Sequence, residues 1–149
     1  MASHSVHPSS RGGLAAVALL AVTLATVPGC GGGWTYQVQG TSRDPGAEGT
    51  IQVSSVSGTG RNVVVDFAYL TPPDRLGPGR TTYVMWFRSG EQTINAGELQ
   101  YNANDGRRPA RGSATSPFPN FEVLVTAETG PEVGSPSEHI VIRQAVDTQ

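Results

Sequence analysis

Few side chains in this 149-residue sequence are equipped for chemistry, and they are scattered. Its one thiol, Cys30, stands behind an apolar run and ahead of Gly31-Gly32-Gly33. A single cysteine excludes an internal disulfide and a multi-cysteine zinc site, which leaves thiolate nucleophilicity as its chemistry. Only one histidine, His139, lies beyond the apolar run. One imidazole without placed carboxylate partners is no metal site, so His139 reads as a surface or strand-face residue. No serine occupies a G-x-S-x-G elbow, and no nucleophile–histidine–acid relay is assigned.

Paired carboxylates can hydrolyse glycosides. Glu122 and Glu128, however, flank a strong strand pattern, while Glu91 and Glu98 fall on a turn and an outward face, so solvated acids are expected. Asp66 is odder, lying between Val65 and Phe67; its face is exposed or it pairs with an arginine such as Arg88. Arg107, Arg108 and Arg111 have the charge to touch anionic lipid, lipopolysaccharide or peptidoglycan, although a solvated loop is the expectation. Trp86 and Tyr83 read as core rather than as a sugar-stacking platform. The glycines at 31–33 and 58–60 precede no helix, so they cradle no phosphate. No catalytic residue, cofactor site or metal site is assigned, and a non-enzyme is expected.

Composition narrows the class of fold. Charged residues make up 15%, hydrophobic ones 37%, with 19 Gly and 11 Pro, a balance that suits short elements joined by tight turns. All ten basic residues are Arg, and the formal net charge is −2. Such a field neither attracts nucleic acid nor demands a basic partner.

Residues 1–13 lack acids and carry Arg11; from Leu14 to Val27 only Thr23 and Thr26 interrupt an apolar or small run. As a helix this run would reach about 21 Å, short of the roughly 30 Å hydrocarbon core, and it matches the hydrophobic region of a cleaved leader. The end of the run, Val27-Pro28-Gly29-Cys30, resembles the lipobox of bacterial lipoproteins. That resemblance implies cleavage between Gly29 and Cys30 and a diacylglyceryl thioether on Cys30. Two or three acyl chains such as palmitate, at about 0.8 kcal/mol per buried methylene, hold a protein on a membrane durably. Gly31 replaces the aspartate that retains many lipoproteins at the inner membrane, which tilts a Gram-negative assignment toward the outer membrane. The expected organisation is a leader over 1–29, a lipidated cysteine, tether and possible edge strand over 30–49, and a folded domain over 50–149.

The elements that must position everything else are strands. Thr81 to Phe87 is apolar on both alternating faces, with Val84 and Trp86 on one and Tyr83, Met85 and Phe87 on the other. A strand with one wet face would alternate with polar residues, so this one is expected to be central and covered on both sides. Trp34 to Gln39 alternates as an edge strand would, or as an aromatic segment near lipid headgroups. Gly40 to Gly49 reads as a linker or wide loop. Thr50 to Val56 points Ile51 and Val53 inward; Asn62 to Leu70 groups Val63, Val65, Phe67 and Tyr69 on one face. The prolines and glycines of Thr71 to Arg80 exclude regular structure and stiffen the connection.

Ile94 to Asn102 resumes alternation, with a bulge or a close backbone approach expected at Gly97. Asn104-Asp105-Gly106 is a turn signal, and Arg107 to Ser116 reads as a weak strand at a sheet edge. Phe121 to Glu128, with Phe121, Val123, Val125 and Ala127 inward, and Glu138 to Val146 complete the set. About seven strands without a helical stripe predict an all-β, Ig-like, antiparallel two-sheet sandwich. The remainder beyond the leader, about 120 residues, buries roughly two-thirds of its unfolded surface, which suffices without disulfides.

Tyr83-Val84-Met85-Trp86, Ala96-Gly97-Glu98-Leu99, Phe121 to Glu128 and Pro136-Ser137 together resemble the C-terminal extracytoplasmic domain of anti-sigma-K factors, over about residues 61–145. The resemblance implies an Ig-like sandwich outside the cytoplasm. Those factors carry a sigma-binding domain and a membrane-spanning helix before the sandwich; a leader stands there in this chain, so sigma-factor inhibition is not implied. The expected role is a lipid-anchored envelope module, interacting or structural, with an unknown protein or envelope polymer as partner. The alternative is a small-ligand or carbohydrate binder.

Overall fold

A computed structural model describes residues 32–148. Its strands are β1 (Gly33–Gln39), β2 (Glu48–Ser55), β3 (Arg61–Ala68), β4 (Thr82–Ser89), β5 (Gln92–Glu98), β6 (Gln100–Tyr101), β7 (Ala110–Ser116), β8 (Phe121–Glu128) and β9 (Ile140–Val146). They form two antiparallel sheets, ordered β1-β2-β3-β7-β6 and β5-β4-β8-β9. From β2 onward this is the Ig order, A-B-E-D against C′-C-F-G, with β1 added outside strand A. The count exceeds seven because β1 joins the sheet and because the stretch from Gln92 to Tyr101 divides between the two sheets.

The division has a local cause. Gly97 adopts φ +107°, and the register of β4 with β5 shifts between Met85 and Trp86, the expected bulge. The chain then crosses at buried Leu99, whose N–H donates to the Tyr83 carbonyl (2.8 Å), and continues into the opposite sheet as β6. Gly112 on β7 accommodates the crossing: a Cβ there would stand 2.6 Å from Leu99 Cδ2.

Strand alternation builds the core as expected. Ile51, Val53, Val63, Val65 and Phe67 from one sheet meet Tyr83, Met85, Phe87, Val123 and Val125 from the other, all buried. Tyr83 with Tyr101 and Phe87 with Phe121 pack edge to face, at 5.3 and 5.2 Å between ring centroids. Val38 of β1 joins this core, and Trp34 and Tyr36 pack partly against it, so the segment is an edge strand. The turn after it is a packed wide loop. Gly40 N–H donates to the Ala47 carbonyl (2.7 Å), and Thr41 reaches the Val141 and Ile140 carbonyls of β9. The stretch from Thr71 to Arg80 is not wholly irregular; Pro73–Leu76 makes one helical turn, α1. A proline at its start loses no hydrogen bond, since the first helical N–H has no partner there.

The other side of β4 is covered too. Val84, Trp86 and Leu124 form a second buried cluster, and Val133 and Ile140 pack on it. Its lid is the β8–β9 connection, residues 129–139. Asn95 of β5 donates to the Pro131 (2.9 Å) and Val133 (3.2 Å) carbonyls at one side of that lid. At the other side, Glu128 accepts from the Ser137 N–H (2.7 Å) and from Thr126 Oγ1 (2.6 Å), which in turn accepts from Trp86 Nε1 (2.8 Å).

Candidate functional site

On the five-stranded sheet, the pleat that sends Ile51, Val63 and Val65 inward must send their neighbours outward. Register aligns these into cross-strand rows: Gln37, Thr50, Asp66, Arg111 and Gln100 in one, Thr35, Gln52, Val64 and Ser113 in the next. Nearly all are amide, hydroxyl or charged side chains. Val64, 40% exposed, interrupts them. A shallow groove of about 720 Å³ crosses this face and is lined by Gln37, Gln39, Glu48, Thr50, Asp66 and Arg107, among others.

Asp66 is held by Arg111 of the neighbouring strand β7, Nε to Oδ2 at 3.1 Å, both side chains more than half exposed. Arg88 is not its partner, because β3 and β4 belong to different sheets. Arg88 instead binds Glu122, directly across from it on β8, and Arg143 of β9 approaches the same carboxylate at 3.4 Å. The Asp66–Arg111 and Arg88–Glu122 pairs thus follow strand register, while Arg143, opposite Leu124, reaches Glu122 diagonally.

At one end of the groove the backbone is strained. Tyr69 follows β3 with φ +61°, and Arg108 has φ +42°; neither is glycine. Such conformations persist only where neighbours over-determine them. Here the Tyr69 N–H donates to the Arg107 carbonyl (2.5 Å), and Arg108 Nε donates to the Leu70 carbonyl (2.8 Å). Tyr101 Oη donates to the same Leu70 carbonyl (3.2 Å), and Tyr83 Oη donates to the Thr71 carbonyl. Buried Asp44 accepts from Thr71 N–H and Thr71 Oγ1, both at 2.9 Å.

Burial pushes the Tyr83 phenol well above its usual range, with the Asp44 charge adding to it, and burial likewise raises Tyr101. Both stay protonated and donate. The outcome is that the Tyr69 ring turns out, 39% exposed, with the Arg107 guanidinium 5.8 Å from its centroid.

Tyr69 therefore does not share the inward face of Val63, Val65 and Phe67; Leu70 is the buried residue there. Strand alternation failed at this position because the left-handed step ends β3 at Ala68, two residues before the expected Leu70. Of the three arginines, Arg107 and Arg111 are exposed, as a solvated loop would have them, yet each has a partner: Arg107 faces Tyr69, Arg111 of β7 holds Asp66, and half-buried Arg108 holds Leu70. Glu128 is not solvated either. It is 2% exposed, and Arg80 pairs with it at 3.3 Å. Glu98 is exposed and accepts from Thr82 Oγ1, and Glu91 is exposed on the β4–β5 turn. Tyr83 and Trp86 are core. His139, just before β9, is half-buried against Gly77, where an added Cβ would sit 2.7 Å from Nε2. Gly29, Cys30 and the leader lie outside the described residues.

Among the described residues no group of three or more His, Cys, Asp or Glu is arranged to hold a metal ion, and no helix is long and apolar enough to cross a membrane. The groove assembles an array of hydrogen-bond donors and acceptors with the Arg107 guanidinium at one end, and the Tyr69 ring stands beside that guanidinium outside the groove's lining. No family model matches the chain, and no curated protein or solved structure matches it.

Proposed function

We propose that this chain is a bacterial lipoprotein whose sandwich is displayed in the cell envelope, anchored through acylated Cys30, and that its role is non-enzymatic interaction with a protein or envelope polymer. The lipobox-like Val27 to Cys30 supports the anchor, and the likeness to the anti-sigma-K extracytoplasmic domain supports a place outside the cytoplasm. Gly31 favours the periplasmic face of an outer membrane. Net charge of −2 gives no reason to invoke nucleic acid.

The observation that carries the interaction reading is the bare polar face of the five-stranded sheet, with Asp66 and Arg111 fixed at its centre. A second reading, a small-ligand or carbohydrate site, is favoured by the groove and by Tyr69 presented beside Arg107. Capture of partners from envelope extracts by the acylated protein tests the first. Arg111→Glu should lose a captured protein or polymer while leaving the fold intact; equal capture by both forms would reject the face. Retention by immobilised polysaccharide that Tyr69→Ala abolishes would favour the second reading. For the anchor, Cys30→Ser should abolish incorporation of labelled lipid and release the domain to the soluble fraction, and unchanged membrane retention would refute it.

A further inference from the structure

We infer that the end of the sandwich where β1 begins lies against the lipid headgroups, with Trp34 and Arg61 at the interface, and that the end bearing Tyr69 and Arg107 points away from the membrane. This rests on acylation of Cys30. Only three peptide steps separate Cys30 from Gly33, the first residue of β1. Three residues span at most about 10 Å, while each headgroup layer adds roughly 5–7 Å beyond the hydrocarbon. A thioether at the level of the lipid glycerol therefore cannot let β1 start far above the headgroups. The tether is too short to let the domain turn over.

What the fold gathers at that end suits the location. Gly33 pairs with Ser54, so the β2–β3 turn lies beside it, and neither that turn (residues 56–60) nor the Pro117-Phe118-Pro119-Asn120 connection contains an acid. Exposed Asp147 follows β9 at this end, its carbonyl accepting from Tyr36 Oη (2.9 Å). Trp34 is half-buried, and the Arg61 guanidinium stands 5.9 Å from its ring centroid. Val56 on the turn is 38% exposed. An amphipathic aromatic beside an arginine is the pairing favoured where apolar and wet surfaces meet. Arg61 is itself fixed, donating from Nε to Thr148 Oγ1 (3.1 Å) and from Nη1 to the Gly60 carbonyl (3.0 Å). The β4–β5 turn with Glu91 is at the same end, but β5 is the edge of its sheet remote from β9, and β9 is the strand that packs beside β1. A lean toward β1 lifts Glu91 from the surface and leaves Asp147, at the end of β9, near it. Strands of eight residues measure about 27 Å, so Tyr69, at the far end of β3, lies well beyond the headgroups.

Quenching by lipids brominated along their acyl chains tests the orientation, using the acylated full chain in vesicles of phosphatidylethanolamine and phosphatidylglycerol. Trp86 is buried, so the difference between wild type and Trp34→Phe reports Trp34. That difference should be an emission component that is blue-shifted on vesicle binding and lost with brominated lipid. Tyr69→Trp, made in the Trp34→Phe background, should add emission that the same lipid leaves untouched. Equal quenching at both positions, or none at Trp34 in protein that floats with the vesicles, overturns the orientation while leaving the anchor standing. If Cys30→Ser floats as wild type does, or wild type fails to float, the anchor itself fails and the orientation falls with it.

Discussion

Trp86 and Val64 each stand mid-strand on the side of a sheet that points away from the shared core, yet the first is 1% exposed and the second 40%. Around Trp86, the outer face of the four-stranded sheet is roofed by residues 129–139, and its polar groups are tied to that roof through Thr126, Glu128, Ser137 and Asn95. Around Val64, Gln52 and Ser113 meet water directly. The contrast shows two ways to finish a sheet. An aromatic outer residue needs a lid, and the lid must supply partners for most of the polar groups it buries; here Arg80 Nε and His139 Nδ1 are buried without one. A polar outer face needs no cover and stays available to a partner.

The comparison can be broken most directly at Trp86. Trp86→Ala should cost about 3–5 kcal/mol, the usual range for an aromatic removed from a core, read as a lower denaturation midpoint with faster amide exchange in residues 129–139. A loss under about 1 kcal/mol, within the range of an ordinary exposed substitution, would mean that the lid does not depend on the ring beneath it. Glu128→Ala comes next. It strands the Ser137 N–H and half-screened Arg80, whose side chain is 20% exposed, so a loss of about 2–3 kcal/mol is expected. Calorimetry would show it, and a neutral result would reduce the Glu128 network to decoration. On the bare face, Arg111→Ala breaks an ion pair more than half exposed on both sides and should move stability by no more than about 0.5 kcal/mol. A larger change would mean that this face is structural after all.

The fold was legible wherever alternation carried hydrophobic burial. Tyr83 to Phe87, with apolar residues on both faces, announced a strand covered twice, and it is. The site was only half legible. Gln37, Gln39, Thr50, Gln52 and Asp66 alternate with core residues and so declare an outer face, but which strands stand side by side is not written in any one of them. Asp66 meets Arg111 because β3 pairs with β7, across more than forty intervening residues. Tyr69 was misplaced because a single left-handed residue reverses the parity of a strand, and nothing in Ala68-Tyr69-Leu70 marks it without the Arg107 and Tyr101 hydrogen bonds that enforce it. Glu128 looked solvated because strand parity locates a side chain on a face without saying what later lies over that face.

By itself the sequence determined the all-β class, most of the strands and the inward residues, since those follow from side-chain periodicity and the transfer of apolar groups from water. It also determined where the single thiol stands relative to the first strand. Tertiary structure alone decided which outer face is sealed and which is open, the partners of each charge, and the outward turn of Tyr69. Those outcomes depend on contacts between segments far apart in the chain, whose free energies exist only once the sheets have been brought together.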